Sequence, residues 1–287
     1  MKITQKNDYI LLNSGKKGPR TAIFVGVHGN EICGILALKE VVKKITIDSG
    51  LAMFVYGNIK AIDKNIRFTE FNLNRAFNDS CFYNKKIKKT YEYKRAQVLK
   101  KYLSNIDLLL DIHSVSDKKS EPFIICEKNA SDIIKSFSSR FKKVVSGLGV
   151  IQPGGIDGYM NSLGKIGICI ECGFHKDKRA VSLAKKTIFD FLESSGNIKV
   201  STSNNLNSNL RKYIKVSNLY ITKSNNFTLS KEFFNFEMIK KGILIGIDGK
   251  TKIKTKKESL ILFAHNRKKI GEEAFILGKF IDNKIAK

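Results

Sequence analysis

The segment Thr21–Glu31, TAIFVGVHGNE, constrains this chain more than any other. Five of the six residues from Ala22 to Val27 are apolar, and the run ends abruptly in a small polar cluster. This reads as a strand buried on both faces, delivering His28, Gly29, Asn30 and Glu31 to its C-terminal edge. The sequence EICGILALKEVVKKI follows at once with the mixed apolar and charged pattern of a helix, which puts Glu31 in that helix's first turn. A histidine and a carboxylate three residues apart at such a junction can turn toward one point in space. A zinc site needs that arrangement, with a third ligand arriving from elsewhere. Taken alone, H-x-x-E is equally a surface histidine followed by a helix-start acid, so the rest of the chain has to decide.

At 287 residues the chain can bury a sizeable core and hold one large domain plus a smaller one. Its formal charge is +26, a balance that raises the question of a nucleic-acid partner. The lysines are spread along the whole chain, however, with no helix-turn-helix pattern, paired Cys/His finger spacing or aromatic and basic interleaving. No nucleic-acid partner is expected, and the positive field suits the capture of small anions. The N-terminus lacks the apolar core of a signal peptide, and no apolar run approaches the roughly 18 residues of a membrane span. Five cysteines (Cys33, Cys81, Cys126, Cys169 and Cys172), odd in number and mostly set in apolar runs, suit reduced thiols in a cytoplasmic protein.

Residues 2–13 predict an entry strand or hairpin, and LAMFVYGN (51–58) a second parallel strand. The polar segment IKAIDKNIRFTEFNLNRAFND is too long for a plain connection, and such loops carry function in compact domains. Helix period returns over YEYKRAQVLKKYLS. IDLLLDIHS repeats the logic of the opening segment, an apolar strand ending in a polar cluster with a histidine. EPFIICE predicts another strand, SDIIKSFSSRFKKV an amphipathic helix, LGVIQPGGIDGYMNSLG a glycine-rich connection, and KIGICIECGF a strand ending at Glu171. A helix capped by Asp177 and stopped by Gly196 closes the unit. Alternating strands and helices predict an α/β fold with a largely parallel sheet flanked by helices over residues 1–200. After a Ser/Asn-rich stretch, short β-like runs predict a small all-β C-terminal domain over 201–287.

Three strand ends thus present His28 with Glu31, His113, and Glu171, and sites in open α/β sheets form beyond the carboxyl ends of the strands. Two histidines and a glutamate around zinc leave a position open for water. A free carboxylate must then take the water's proton and deliver it to the leaving amine, and Glu171 is the candidate. The loop supplies Arg67, Asn74 and Arg75, and arginine forks match a carboxylate substrate. Asp111 is placed on the strand face opposite His113, in a supporting or structural role. His175 and His265 are read as structural or exposed, and the Cys169-x-x-Cys172 pair as core thiols.

HGNE (28–31), NLNRAF (72–77), DIHS (111–114) and IECG (170–173), in this order, resemble the succinylglutamate desuccinylase/aspartoacylase family, a branch of the zinc-carboxypeptidase-like hydrolases. The resemblance runs from about residue 20 to 195 and extends through FNFEMIKKGILIGIDG. It implies that one Zn2+ is bound by His28, Glu31 and His113, with Glu171 activating the water. It further implies that Asn74 and Arg75 hold the substrate's carboxylate, while Arg67 polarises the scissile carbonyl. Two features depart from the aspartoacylase-like pattern. Where such members carry an arginine about ten residues before the catalytic glutamate, this chain has Asn161, and it has no tyrosine after Tyr220 to grip the substrate. Both argue against N-acetylaspartate as the natural substrate.

The expected function is a zinc-dependent hydrolase cleaving the amide of a small anionic N-acyl amino acid or related acylated amine, with a homo-oligomeric state compatible with the sequence. The alternatives are a carboxypeptidase-like peptidase acting on small peptides, or a basic binding protein on a degenerate hydrolase scaffold.

Overall fold

A computed structural model describes residues 1–78, 85–199 and 211–282. Cys81 and most of the Ser/Asn-rich stretch lie outside them. The chain opens with the expected hairpin, β1 (Lys2–Gln5) and β2 (Tyr9–Asn13), and continues into β3 (Arg20–Val25), the helix α1 (Ile32–Val41) and β4 (Leu51–Tyr56). The long polar loop contains α2 (Ile59–Lys64) and a 3-10 turn at Leu73–Arg75, and is followed by α3 (Lys85–Lys89) and α4 (Tyr91–Leu103). Next come β5 (Leu108–Val115), β6 (Phe123–Cys126), α5 (Ser131–Ile134), β7 (Lys143–Ser146), α6 (Leu148–Ile151) and α7 (Ile156–Ser162). The strand β8 (Ile166–Phe174) and the helix α8 (Lys178–Ser195) complete the α/β unit. The rest of the described chain is strand and turn: β9 (Lys212–Ile221), β10 (Phe227–Leu229), β11 (Glu237–Ile239), β12 (Leu244–Asp248), β13 (Thr251–Lys254), β14 (Ser259–Leu262) and β15 (Glu273–Ile281).

Among the described residues, twelve strands form one mixed sheet in the order β1-β2-β4-β3-β5-β8-β6-β7-β9-β15-β14-β11, with β10, β12 and β13 in a smaller sheet. The centre is parallel across β4, β3, β5 and β8, while β6 runs antiparallel to β8. β9 pairs in parallel with β7, so the all-β region continues the edge of the main sheet. The central strands are buried on both faces, as their unbroken apolar runs require. One face packs Ile23, Val25, Leu110, Ile112 and Ile170 against α1 and α8, and the other packs Ala22, Phe24 and Leu109 against α4 and α7. Asp177 caps α8 through the Arg179 N–H at 2.8 Å, and Gly196 ends it at φ +85°.

Two expectations are corrected. SDIIKSFSSRFKKV is not one helix. α5 stops at Ile134 and the end of the segment becomes β7, because Val144 and Val145 are buried in a strand flanked by β6 and β9. The buried Arg211 guanidinium donates to the carbonyls of Ile134, Phe137 and Phe141 around the point where the helix stops. The glycine-rich connection, in turn, folds into α6 and α7 and forms a wall of the functional cleft.

Candidate active site

β3, β5 and β8 lie side by side, and His113 is the lateral neighbour of Glu171. Gly29 is obligatory in the turn after β3, since a Cβ there would stand 2.1 Å from the Ala61 carbonyl carbon of α2. This close approach lets His28 and Glu31 fold back over the sheet edge. The loop that faces them is pinned by the buried Glu92 of α4, whose carboxylate accepts from the backbone N–H groups of Thr69, Glu70 and Phe71.

His28 Nδ1 lies 2.8 Å from Glu31 Oε1, and His113 Nδ1 lies 2.7 Å from Glu31 Oε2. The outer nitrogens are also fixed, His28 Nε2 by Asn72 Oδ1 at 3.0 Å and His113 Nε2 by Asp111 Oδ2 at 2.8 Å. Asn72 Oδ1 also accepts the Asn74 N–H, which sets the orientation of its amide. Both outer partners are acceptors, so each Nε2 carries a proton and each Nδ1 faces a carboxylate oxygen. Each Nδ1–carboxylate contact is held by a proton on the ring or by a cation that both atoms share. The donor set, two imidazoles and one carboxylate with outer hydrogen bonds in place, fits a divalent metal. All three side chains are buried. Burial draws His28 down to about 4, and burial alone would lower His113 too, but the charges of Asp111 and Glu31 hold it well above the imidazole range. Burial would raise Glu31, yet the two histidines hold it well below the usual carboxylate range.

These three side chains open onto a cleft of about 480 Å³ that is also lined by Glu171, Arg67, Asn74 and Arg75. Glu171 Oε2 is buried without a hydrogen-bond partner among the described residues, and desolvation pushes its carboxyl well above the usual range. Arg67, half exposed, donates to Glu31 Oε1 at 3.0 Å. Asn74 Oδ1 accepts the Ile156 N–H at 3.1 Å, so its NH2 is left for the cleft. Arg75 forms a two-armed ion pair with Glu273 of β15, and Gln152 donates to the same carboxylate.

Asp111 corrects one expectation. Residues two apart share a face of a regular strand, and Asp111 sits beneath His113 on the same side as a hydrogen-bond partner of its ring. His175 and His265 are also not remote, since both line the cleft, with His175 Nδ1 2.8 Å from Ser114 Oγ. Cys172 is buried as expected of a core thiol, whereas Cys169 reaches the cleft wall, and its sulfur lies with Asp111 and His113 in a second compact donor group. Asn161 pairs with the backbone of Gly167 at both ends of its amide. Asn72, Gln152, Asp157 and Glu273 were not singled out by sequence. Only Asn72 left a signal there, as part of NLNRAF.

A model of the succinylglutamate desuccinylase/aspartoacylase catalytic domain matches residues 17–193. The chain belongs to this family. Among the relatives of the family member, a probable aspartoacylase of Nostoc sp. is 27% identical over 210 residues, 65% of this chain and 68% of that protein. An aspartoacylase of Xenopus tropicalis is 27% identical over 133 residues, 42% of this chain and 41% of that protein. A succinylglutamate desuccinylase from Vibrio cholerae superposes with a TM-score of 0.79 over 98% of this chain and 91% of that chain, at 16% identity. The Vibrio parahaemolyticus protein gives 0.76 over 96% and 86%, at 17% identity. At these identities the likeness establishes the shared fold. No helix among the described residues is long and apolar enough to cross a membrane.

Proposed function

We propose that this family member is a zinc-dependent amidohydrolase that removes the acyl group from an N-acyl amino acid or related small acylated amine. The observation that carries this reading is the convergence of both Nδ1 atoms on Glu31, beside a buried, unpartnered Glu171, at the floor of an open cleft. His28, Glu31 and His113 would hold the zinc. When bound, zinc acidifies water and polarises the amide carbonyl.

The protein's own groups supply the rest. Glu171 takes the proton of the attacking water and returns it to the leaving nitrogen. A carboxyl raised by burial suits that shuttle, because it takes up a proton more readily than a free carboxylate does. Arg67, with N–H groups beyond the one given to Glu31, stabilises the negative charge that develops on the carbonyl oxygen. The Asn74 NH2, oriented by α7, grips the substrate's carboxylate, with Arg75 beside it.

The test is amine release from a panel of N-acyl amino acids by zinc-loaded protein, with and without a chelator. Chelator-sensitive release supports the proposal, and absence of release from every member overturns it.

A further inference from the structure

The cleft beyond Asn74 carries an acid that the deacylase reading does not use. Asp157 lines it, and no side chain among the described residues pairs with that carboxylate, which meets only backbone N–H groups of its own turn. An acid in the first turn of a helix is ordinary, but the packing here fixes this one against the cleft. α7 lies so close on β8 that a Cβ at Gly167 would stand 2.2 Å from the Asp157 carbonyl oxygen. A Cβ at Gly158 would stand 3.4 Å from the Gly149 Cα, so α6 closes on the other side. A Cβ at Gly155 would lie 2.7 Å from Asp157 Oδ1 and 3.6 Å from Asn74 Oδ1. The carboxylate and the amide that grips the substrate therefore flank one bare Cα.

The groups that would favour a second substrate carboxylate here are engaged elsewhere. The Arg75 fork closes on Glu273, and its Nη1 donates to the Asn74 carbonyl. Asn161 turns to the Gly167 backbone. Burial, then the charge of Asp111, pushes Asp157 up to about 6 against the opposing charge of His113, and among the described residues no cationic side chain is in contact with this carboxylate. A substrate ammonium would supply such a contact.

We infer that Asp157 is a specificity residue that reads an ammonium group on the side chain of the amino acid released, so that the preferred substrates are N-acylated diamino acids, not N-acylated dicarboxylic ones. The inference rests on the deacylase reading for the bond cleaved, and on Asp157 and its surroundings for the side chain.

The experiment compares kcat/KM for Nα-acetylornithine, Nα-acetylnorleucine and N-acetylglutamate in zinc-loaded wild type and Asp157→Asn, with zinc content and melting temperature checked for both. A charge-assisted hydrogen bond predicts roughly a ten- to hundredfold preference for the ornithine derivative over its norleucine isostere. Asp157→Asn should reduce that preference to within about threefold. Equal rates for the isosteres, a preference for N-acetylglutamate, or an unchanged ratio in the variant would overturn the inference. If the variant does not fold, the wild-type ratio alone decides. If nothing is hydrolysed, the deacylase reading fails, and calorimetric affinities of the same three compounds for zinc-loaded wild type decide the side-chain inference.

Discussion

Glu273, the first residue of β15, clasps Arg75 through both arms of its guanidinium, Nε to Oε1 and Nη2 to Oε2, each at 2.7 Å. The two residues are 198 positions apart in sequence. The pair ties the all-β region to the loop that carries Asn74, and a planar two-armed contact at partial exposure is stronger than an ordinary surface pair. Glu273→Ala should cost about 1–2 kcal/mol of stability. The double variant with Arg75→Ala should lose less than the sum of the single losses, measured by urea denaturation. Strict additivity would show that the contact carries no coupling energy.

Replacing His28, Glu31 or His113 by Ala should abolish stoichiometric zinc, measured by plasma emission. Asp111→Ala acts through the His113 ring it orients, and should keep the metal while weakening its affinity roughly 10- to 100-fold in a chelator competition.

Glu171→Gln removes the proton carrier without touching a ligand. It should retain zinc and bind substrate, while kcat falls by roughly 10²–10⁴-fold. Turnover at the wild-type rate would remove Glu171 from its assigned role.

His265 should leave a mark on acid stability. Burial, then the charge of Arg267, draws its pKa from 6.5 down to about 4. Between these values the unfolded chain takes up a proton that the folded one refuses, so stability falls as pH drops through this window and is unaffected above it. The loss should be about 1–3 kcal/mol. His265→Gln should therefore gain melting temperature relative to wild type between pH 6.5 and 4, and a constant difference across that range would contradict this.

Gly167→Ala places a methyl group 2.2 Å from the Asp157 carbonyl oxygen, a backbone atom that cannot turn aside. α7 must shift off β8, costing about 1–3 kcal/mol by thermal melting. The same shift should move Asp157 relative to Asn74 and raise KM more than it lowers kcat.

Much of the fold was legible in the sequence because the central strands are buried on both faces. Ala22–Val25, Leu108–Ile112 and Ile166–Ile170 are nearly unbroken apolar runs, and each ends where polar residues reach the sheet edge. His28, Glu31, His113 and Glu171 could be picked out because chemistry-bearing residues stand at those abrupt ends. The segment 131–144 folds otherwise because its local pattern suits a helix, while pairing with β6 and β9 and the Arg211 contacts favour a strand at its end.

By itself, then, the sequence determined which strands carry the chemistry and which residues stand at their ends, since burial pattern and breaks in it are local properties. Tertiary structure alone decided the rest. It brought Asn72 and Asp111 behind the two imidazoles and fixed which nitrogen of each ring faces Glu31. It joined Glu273 to Arg75, and it set Asp157 beside Asn74 through glycines whose missing Cβ atoms let the backbones approach. These relationships depend on distances between segments far apart in the chain, and a linear pattern has no term for distance.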